Sequence, residues 1–199
     1  HAMQSAIQGF IQSQGEMAKS HADGWTSARM NPAHFPGTFG TMAEEVNHLV
    51  SSHINVTEQT VKVIAQYAQG NFDVDMQRLS GDQAQITQAV DQVKQALLAI
   101  SGDIKRLAEA GARGDFSQRG DASRYQFQFK AMIDDLNRLI DTCDVGFNDI
   151  LRVANALSEG DLSQTIQKDY PGLFGQAKDG VNHTVASLTS IIGEIETIV

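Results

Sequence analysis

The sequence predicts an all-α protein in which two parallel copies of the chain form successive four-helix bundles, and continuous helices join these bundles into a rod. Three observations support this prediction. A short motif recurs about every 45 residues, apolar residues spaced three and four apart flank each copy, and the 199 residues include only three prolines. A motif at constant spacing indicates a repeated supersecondary unit, and the 3–4 spacing indicates helices with one apolar face.

The motif is a glycine followed by Asp or Asn and then by Leu or Phe, with a weaker first copy at Gly24-Trp25. Its glycines are 46, 44 and 46 residues apart, at Gly24, Gly70, Gly114 and Gly160. A glycine after an apolar-periodic stretch typically ends a helix in the left-handed conformation. The chain therefore divides into four predicted units: unit 1 is residues 4–53, unit 2 is 54–98, unit 3 is 99–143, and unit 4 is 144–199 and includes the start of a downstream coiled coil.

Each unit contains a first helix, a connector of about a dozen residues and a second helix. A connector of this length can run back along the helix that it follows. We therefore expect the two helices of a unit to be parallel, because antiparallel hairpins need only a few connecting residues. Hydrophobic residues in the connectors are predicted to pack on the helix pair: Trp25, Phe72, Met76, Phe116, Leu162 and Ile166. In unit 3, Gly120 replaces the second such hydrophobe, which predicts looser packing there.

No turn signal separates one unit from the next, so continuous helices are predicted near residues 40–69, 84–112 and 126–159. Gly102 and Gly146 lie inside two of these helices, 44 residues apart. Glycine inside a helix costs about 1 kcal/mol relative to alanine. These two glycines are either sites of close packing or tolerated surface positions.

Two helices with one apolar stripe each cannot enclose a core, whereas two parallel copies give four helices with inward stripes. The sequence therefore predicts a parallel homodimer. The bundle core is expected to contain these inward positions: Val46, Leu49, Val61, Ile64, Val90, Val93, Ile104, Leu107, Leu136, Val153, Leu157, Val181, Val185 and Leu188.

Composition excludes several classes of function. The 24 acidic residues outnumber the 15 Lys and Arg, which disfavours nucleic acid as a partner. No apolar run approaches the roughly 20 residues that cross a bilayer, so no membrane span is expected in this part of the protein. The single cysteine excludes an internal disulfide and favours a cytoplasmic location.

No metal, cofactor or catalytic site is predicted. His48 and His53 are five residues apart, whereas two ligands on one helix face usually stand four apart. His34 has no cysteine or acidic cluster near it in the sequence, and His183 repeats the place of His48. Surface histidines are therefore favoured over metal or haem ligands.

The remaining reactive side chains also favour structural roles. Asp141 and Asp144 lie near Cys143 and disfavour its thiolate, so an inert thiol is expected. Adjacent acidic residues point about 100° apart on a helix and are expected on solvated faces; these pairs are Glu44-Glu45 and Asp134-Asp135. We find no nucleophile with a base and no phosphate-binding loop, and we predict no enzymatic activity.

The pattern resembles the HAMP domain of bacterial signal transducers. In unit 4 the resemblance lies in residues 156–162 (ALSEGDL), 170–174 (YPGLF) and 181–185 (VNHTV), and looks like the HAMP segment of methyl-accepting chemotaxis proteins. In units 1 and 2, residues 45–50 (EVNHLV) and 66–72 (QYAQGNF) look like the concatenated HAMP arrays of soluble aerotaxis-type receptors. No proline opens a first helix, and no Asp-Glu pair opens a second helix. Both departures fit internal units that do not directly follow a membrane span.

The resemblance implies a signal-relay module in a chemoreceptor. Such a module passes conformational change between a sensor domain and a kinase-control domain of the same chain through alternative helix packings. Two other functions stay open. One is an α-solenoid scaffold, which predicts a monomer with antiparallel helices. The other is a helical small-molecule sensor, for which the connector aromatics Trp25, Phe35 and Tyr125 are the hints.

Overall fold

The computed structural model describes residues 2–198, which form five α-helices and contain no β-strand. His1 and Val199 lie outside the described residues, so the predicted unit 4 is described only to residue 198. The all-α prediction is confirmed. Three connectors contain a single turn of 3₁₀-helix, at Pro32–His34, Gly81–Gln83 and Ala122–Arg124. The helices are α1 Ala2–Ala22, α2 Thr38–Ala68, α3 Ala84–Ala112, α4 Phe127–Ser158 and α5 Gly172–Ile198.

The helix ends follow from the motif glycines. Gly24, Gly70, Gly114 and Gly160 have φ of 93°, 80°, 79° and 81°. The amide of the next residue bonds to the carbonyl five residues earlier, for example Asp161 to Ala156 at 2.8 Å and Asp115 to Ala110 at 3.0 Å. This is the hydrogen bond of a helix that ends on a left-handed residue. The three long helices begin and end within two residues of their predicted limits.

The described residues separate into two compact halves, with the division between Leu98 and Ala99, and this division coincides with the predicted boundary between units 2 and 3. In the described residues, each half contains two of the hydrophobic clusters described below, and each cluster lies within one predicted unit. The boundaries of the four units themselves stay a prediction. The buried members of the clusters are Phe10, Met17, Met30 and Ala43; Tyr67, Met76 and Val90; Ile100, Tyr125 and Ile133; and Val153, Ile166 and Val185.

In unit 3 the contacts between the two helices follow the same order along both helices. Near the beginning of the pair, Tyr125, just before α4, bonds to Asp103 of α3. Farther along, Gly111 of α3 and Cys143 of α4 line the same cavity. The two helices therefore run the same way, as the connector length predicts. The closure of such pairs into a four-helix bundle by a second chain stays a prediction.

Two glycines allow close packing, and one of them corrects the sequence analysis. Gly120 is buried, and a Cβ there would lie 2.7 Å from Cγ2 of Ile133. The expectation of a loose connector was wrong, because Ile133 fills the space that a connector hydrophobe would occupy. A Cβ on Gly146 would lie 2.7 Å from Cδ1 of Phe174, whereas Gly102 faces open space. Close packing thus explains Gly146 but not Gly102.

Trp25 is 72% exposed, so the expectation that it packs on the helix pair was wrong for the single chain. It stands one residue after its glycine, where Asn71 and Asp115 of other units are also exposed. Phe72 and Phe116 stand two residues after theirs, and both are half-buried. The side chain of Trp25 therefore faces outward.

The predicted core positions differ in burial within one chain. Val90, Leu107, Val153 and Val185 are buried, and Val46, Leu136, Leu157 and Val181 are half-buried. The other predicted core residues are exposed: Leu49, Val61, Ile64, Val93, Ile104 and Leu188. Whether these six face a second chain stays a prediction.

Candidate functional site

Each connector is held at the residue six positions after its motif glycine. These residues are Met30, Met76, Gly120 and Ile166, and all four are buried. They lie between the two helices of their unit, and side chains from both helices bond to the connector backbone around them. We call this arrangement the connector clamp.

In units 1, 3 and 4 one asparagine of the second helix forms half of the clamp. The side chain of Asn137 accepts a hydrogen bond from the amide of Gly120 and donates one to the carbonyl of Gly120, both at 2.8 Å. Asn182 bonds in the same way to Ile166, at 2.9 Å for both contacts. Asn47 bonds to Met30 at 3.0 and 2.8 Å. A primary amide can both donate and accept, so one side chain satisfies both main-chain groups of an extended residue.

Unit 2 replaces the asparagine with two other side chains. Thr87, which is 3% exposed, accepts the amide of Leu79 at 3.3 Å and donates to the carbonyl of Gln77 at 3.2 Å. Lys94 donates to the carbonyl of Val74 at 3.2 Å and to Asp75 at 2.8 Å. The hydrogen bond from Lys94 lowers the pKa of Asp75 and raises the pKa of Lys94 itself. The same backbone segment is thus held by a hydroxyl and an ammonium group.

The first helix supplies the other half of the clamp. In unit 4, Tyr170 donates to Asp149 at 2.5 Å, and Arg152 donates to the carbonyl of Thr165 at 3.0 Å. Arg152 also pairs with Asp149 at 3.5 Å. Unit 3 repeats this set with Asp103, Arg106 and Tyr125.

Units 1 and 2 use a simpler contact from the first helix. Tyr67 donates to the carbonyl of Val74, and a ring nitrogen of His21 lies 3.0 Å from the carbonyl of Ala28. Both side chains stand three residues before their motif glycine, and both carbonyls stand four residues after it. The first-helix contacts of the four clamps therefore form two types, one in units 1 and 2 and one in units 3 and 4.

Sequence reasoning missed these polar residues. The clamp asparagines are spaced 90 and 45 residues apart, close to the spacing of the motif glycines of their units; they are Asn47, Asn137 and Asn182. That recurrence was a usable signal, since a polar residue on a solvated helix face has no reason to repeat at the length of the unit. The Asp-x-x-Arg pairs at Asp103 and Asp149 recur at 46 residues and gave the same signal.

Comparison with known proteins identifies the family. Residues 56–98 match the family described as HAMP N-terminal domain 3, and residues 124–190 match the HAMP domain. Together these matches cover more than half of the chain. Residues 56–98 and 124–190 are therefore HAMP domains.

A curated relative supports the same assignment. The chain is similar to the methyl-accepting chemotaxis protein McpB of Pseudomonas aeruginosa, with 24% identity over an alignment that covers 90% of this chain and 46% of the relative. The chain thus spans about half the length of that protein. The two HAMP matches differ in the second-helix half of the clamp: residues 56–98 contain Thr87 and Lys94, and residues 124–190 contain Asn182.

Each connector ends with a second residue of positive φ, which lies at the first residue of the next helix or within three residues before it. Gly37, Gly81 and Gly172 serve in three connectors, with φ of 58°, 58° and 62°. In the third, Phe127 takes this place with φ of 49°, and its side chain is 87% exposed. A bulky residue in this conformation costs of order 1–3 kcal/mol. The beginning of α4 is therefore strained in a way that the other helices are not.

Within residues 2–198 no group of three or more His, Cys, Asp or Glu side chains could hold a metal ion. His48, His53 and His183 are exposed, and Cys143 is half-buried. None of the helices in the described part of the chain is long and apolar enough to span a membrane.

The clamp tyrosine of unit 4 makes stability depend on alkaline pH. Burial, and then the hydrogen bond to Asp149, raise the pKa of Tyr170 to about 12. Tyrosine in an unfolded chain titrates near pH 10, so the folded state holds this proton more tightly. The stabilisation is complete below about pH 10 and is lost as the pH rises through about 12. We expect urea unfolding to show falling stability across this interval, and Tyr170→Phe to reduce the slope. An unchanged slope in Tyr170→Phe would contradict this assignment.

Proposed function

We propose that this chain is a poly-HAMP signal relay of a bacterial chemoreceptor. It passes conformational change from a sensor domain to a kinase-control domain of the same polypeptide, through alternative packings of its helices. Chemotaxis is therefore the process that it serves. The observation that carries this proposal is the connector clamp, which ties each connector to both helices of a unit by hydrogen bonds that a small shift can exchange.

The relay acts as a parallel homodimer. Six predicted core residues are exposed in the single chain, and further apolar side chains are exposed on α4 and α5, including Leu139, Leu151 and Ile191. A soluble monomer rarely leaves so much apolar surface uncovered. A second copy that runs in the same direction covers all of these residues by one isologous contact.

The clamp gives each unit a way to couple its helices. The second helix cannot slide past the connector without breaking both bonds of Asn137 or Asn182. The first helix is bound to the same connector through Arg106 or Arg152. A rotation of either helix therefore moves the connector, and the connector moves the other helix. Two packings of similar energy would let an input bias the output.

The solenoid alternative has less support. It requires antiparallel neighbours, whereas Asp103 contacts Tyr125 at the beginning of the helix pair, and Gly111 and Cys143 line one cavity farther along. The sensor alternative relied on connector aromatics. Phe35 packs against Phe10, with ring centroids 5.6 Å apart, and Tyr125 bonds to Asp103. These contacts give both rings structural roles.

We place the relay in the cytoplasm, without catalytic activity and without a cofactor or nucleic acid. Chemoreceptor signalling proteins of the HAMP family are generally not enzymes, which agrees with this proposal. Its partners are its own second copy and the adjoining sensor and kinase-control domains.

The test uses the parent chemoreceptor. Leu162 is half-buried in the clamp of unit 4, whereas Leu173 is 79% exposed. We expect Leu162→Asp to lock kinase output high or low and to abolish its response to stimulus. Leu173→Asp, the matched control, keeps the response. Receptor abundance and cross-linked dimer are measured for both variants. A normal response in Leu162→Asp would contradict the relay role of the connectors.

A further inference from the structure

Three phenylalanine rings form a continuous chain across the junction of units 3 and 4. Phe116 comes from the connector of unit 3, Phe147 from α4 and Phe174 from α5. The rings of Phe116 and Phe147 are stacked with centroids 5.4 Å apart and an interplanar angle of 20°. Those of Phe147 and Phe174 meet edge to face at 5.5 Å and 77°. Both geometries are favourable for aromatic pairs.

The surroundings of the rings favour this arrangement. Gly146 precedes the central ring, and any Cβ there would lie 2.7 Å from both Cδ1 and Cε1 of Phe174. The missing side chain lets the ring of Phe174 lie directly against α4. A glycine in the interior of a helix carries a cost, and here the close approach of Phe174 accounts for it.

The corresponding ring of unit 2 packs differently. Phe72 stands two residues after its motif glycine, as Phe116 does, but its ring lies 6.0 Å from that of Tyr67 in its own unit. In unit 3 the place of Tyr67 is taken by Gly111, whose added Cβ would be 3.6 Å from Cε1 of Phe116. Phe116 has no ring of its own unit at that position and stacks on Phe147, which belongs to unit 4.

We propose that these three rings couple the connector of unit 3 directly to the second helix of unit 4. A continuous helix transmits its own rotation from one unit to the next. It does not by itself transmit a movement of the connector. The ring chain adds that second route. Its role in signalling rests on the relay function proposed above, whereas the coupling itself is a property of the isolated chain.

Hydrogen exchange in the purified full chain tests the coupling. The amides of Ser117 and Gly120 bond to Asp115 and Asn137, so their exchange reports opening of the unit 3 connector. We expect Phe174→Leu, a change in unit 4, to accelerate exchange at both amides about threefold or more, a factor within the range that one aromatic pair supplies. If Phe174→Leu lowers helix content, Phe174→Met, which keeps more of the side-chain volume, replaces it.

Two comparisons separate coupling from general destabilisation. Phe39 is the matched control, because it packs on Phe10 in unit 1 as Phe174 packs on Phe147. Phe39→Leu leaves the two reporter amides unchanged. In a chain that already carries Phe147→Leu, the Phe174 substitution causes no further acceleration. Unchanged exchange in Phe174→Leu overturns the proposal, as does acceleration that persists without the ring of Phe147. A normal stimulus response in the Leu162→Asp receptor would instead count only against the relay function.

Discussion

Replacing Asn137 with alanine lowers the free energy of unfolding by about 2–4 kcal/mol. The substitution removes both partners of the buried Gly120 main chain, whose amide and carbonyl bond to the side chain at 2.8 Å. An unsatisfied buried polar group costs about 1–3 kcal/mol. Urea unfolding measures the loss, and exchange of the Gly120 amide locates it.

Asn148→Ala is the matched control, because Asn148 is exposed and bonds only to Asp144 one turn earlier on the same helix. Its expected effect is within about 0.5 kcal/mol. Equal losses in the two variants, or an unchanged exchange rate at Gly120, would show that the asparagine does not hold the connector.

Replacing Ile166 with alanine lowers the free energy of unfolding by about 2–5 kcal/mol, the range for large-to-small substitutions in cores. Ile166 is 1% exposed and belongs to the cluster with Val153 and Val185. Its removal leaves a cavity between the connector and both helices of unit 4. Thermal unfolding of the purified chain measures the loss.

Trp25→Ala removes a larger side chain from a connector and serves as the comparison. Because Trp25 is 72% exposed, we expect its removal to change the free energy of unfolding by only about 0.5 kcal/mol. A larger loss for Trp25 than for Ile166 would mean that the connector of unit 1 packs in a way that this structure does not contain.

The helices could be predicted because their signals are local. Apolar residues three and four apart mark α2, α3 and α4, and Gly70, Gly114 and Gly160 mark where they end. Those signals depend only on neighbours in the chain, so no tertiary information was needed.

The clamps could not be predicted in the same way, because a clamp joins residues that are far apart in the chain. Asn137 lies 17 residues from Gly120, and an asparagine within an amphipathic helix usually belongs to a solvated face. Gly120 was misjudged because its close packing depends on Ile133, which comes from another segment. Trp25 was misjudged because a shift of one residue turns a connector side chain from the core to solvent.

The sequence also does not distinguish the two kinds of apolar position on one helix. Val185 and Leu188 both fit the inward stripe of α5, yet Val185 is 3% exposed and Leu188 is 39% exposed in the single chain. Periodicity records that both are apolar. It does not record which one packs on its own connector and which one is exposed in the single chain and, in the proposed dimer, faces the second copy.

Disulfide cross-linking at Leu188 tests the parallel homodimer most directly. In a chain with Cys143→Ser, we expect Leu188→Cys to form an inter-subunit disulfide readily under mild oxidation, because equivalent positions meet across the two-fold axis. Ser190 is also exposed but points about 200° away from Leu188 around the helix, and we expect Ser190→Cys to stay unlinked. A monomer by light scattering, or linkage at Ser190→Cys but not at Leu188→Cys, would contradict the parallel homodimer.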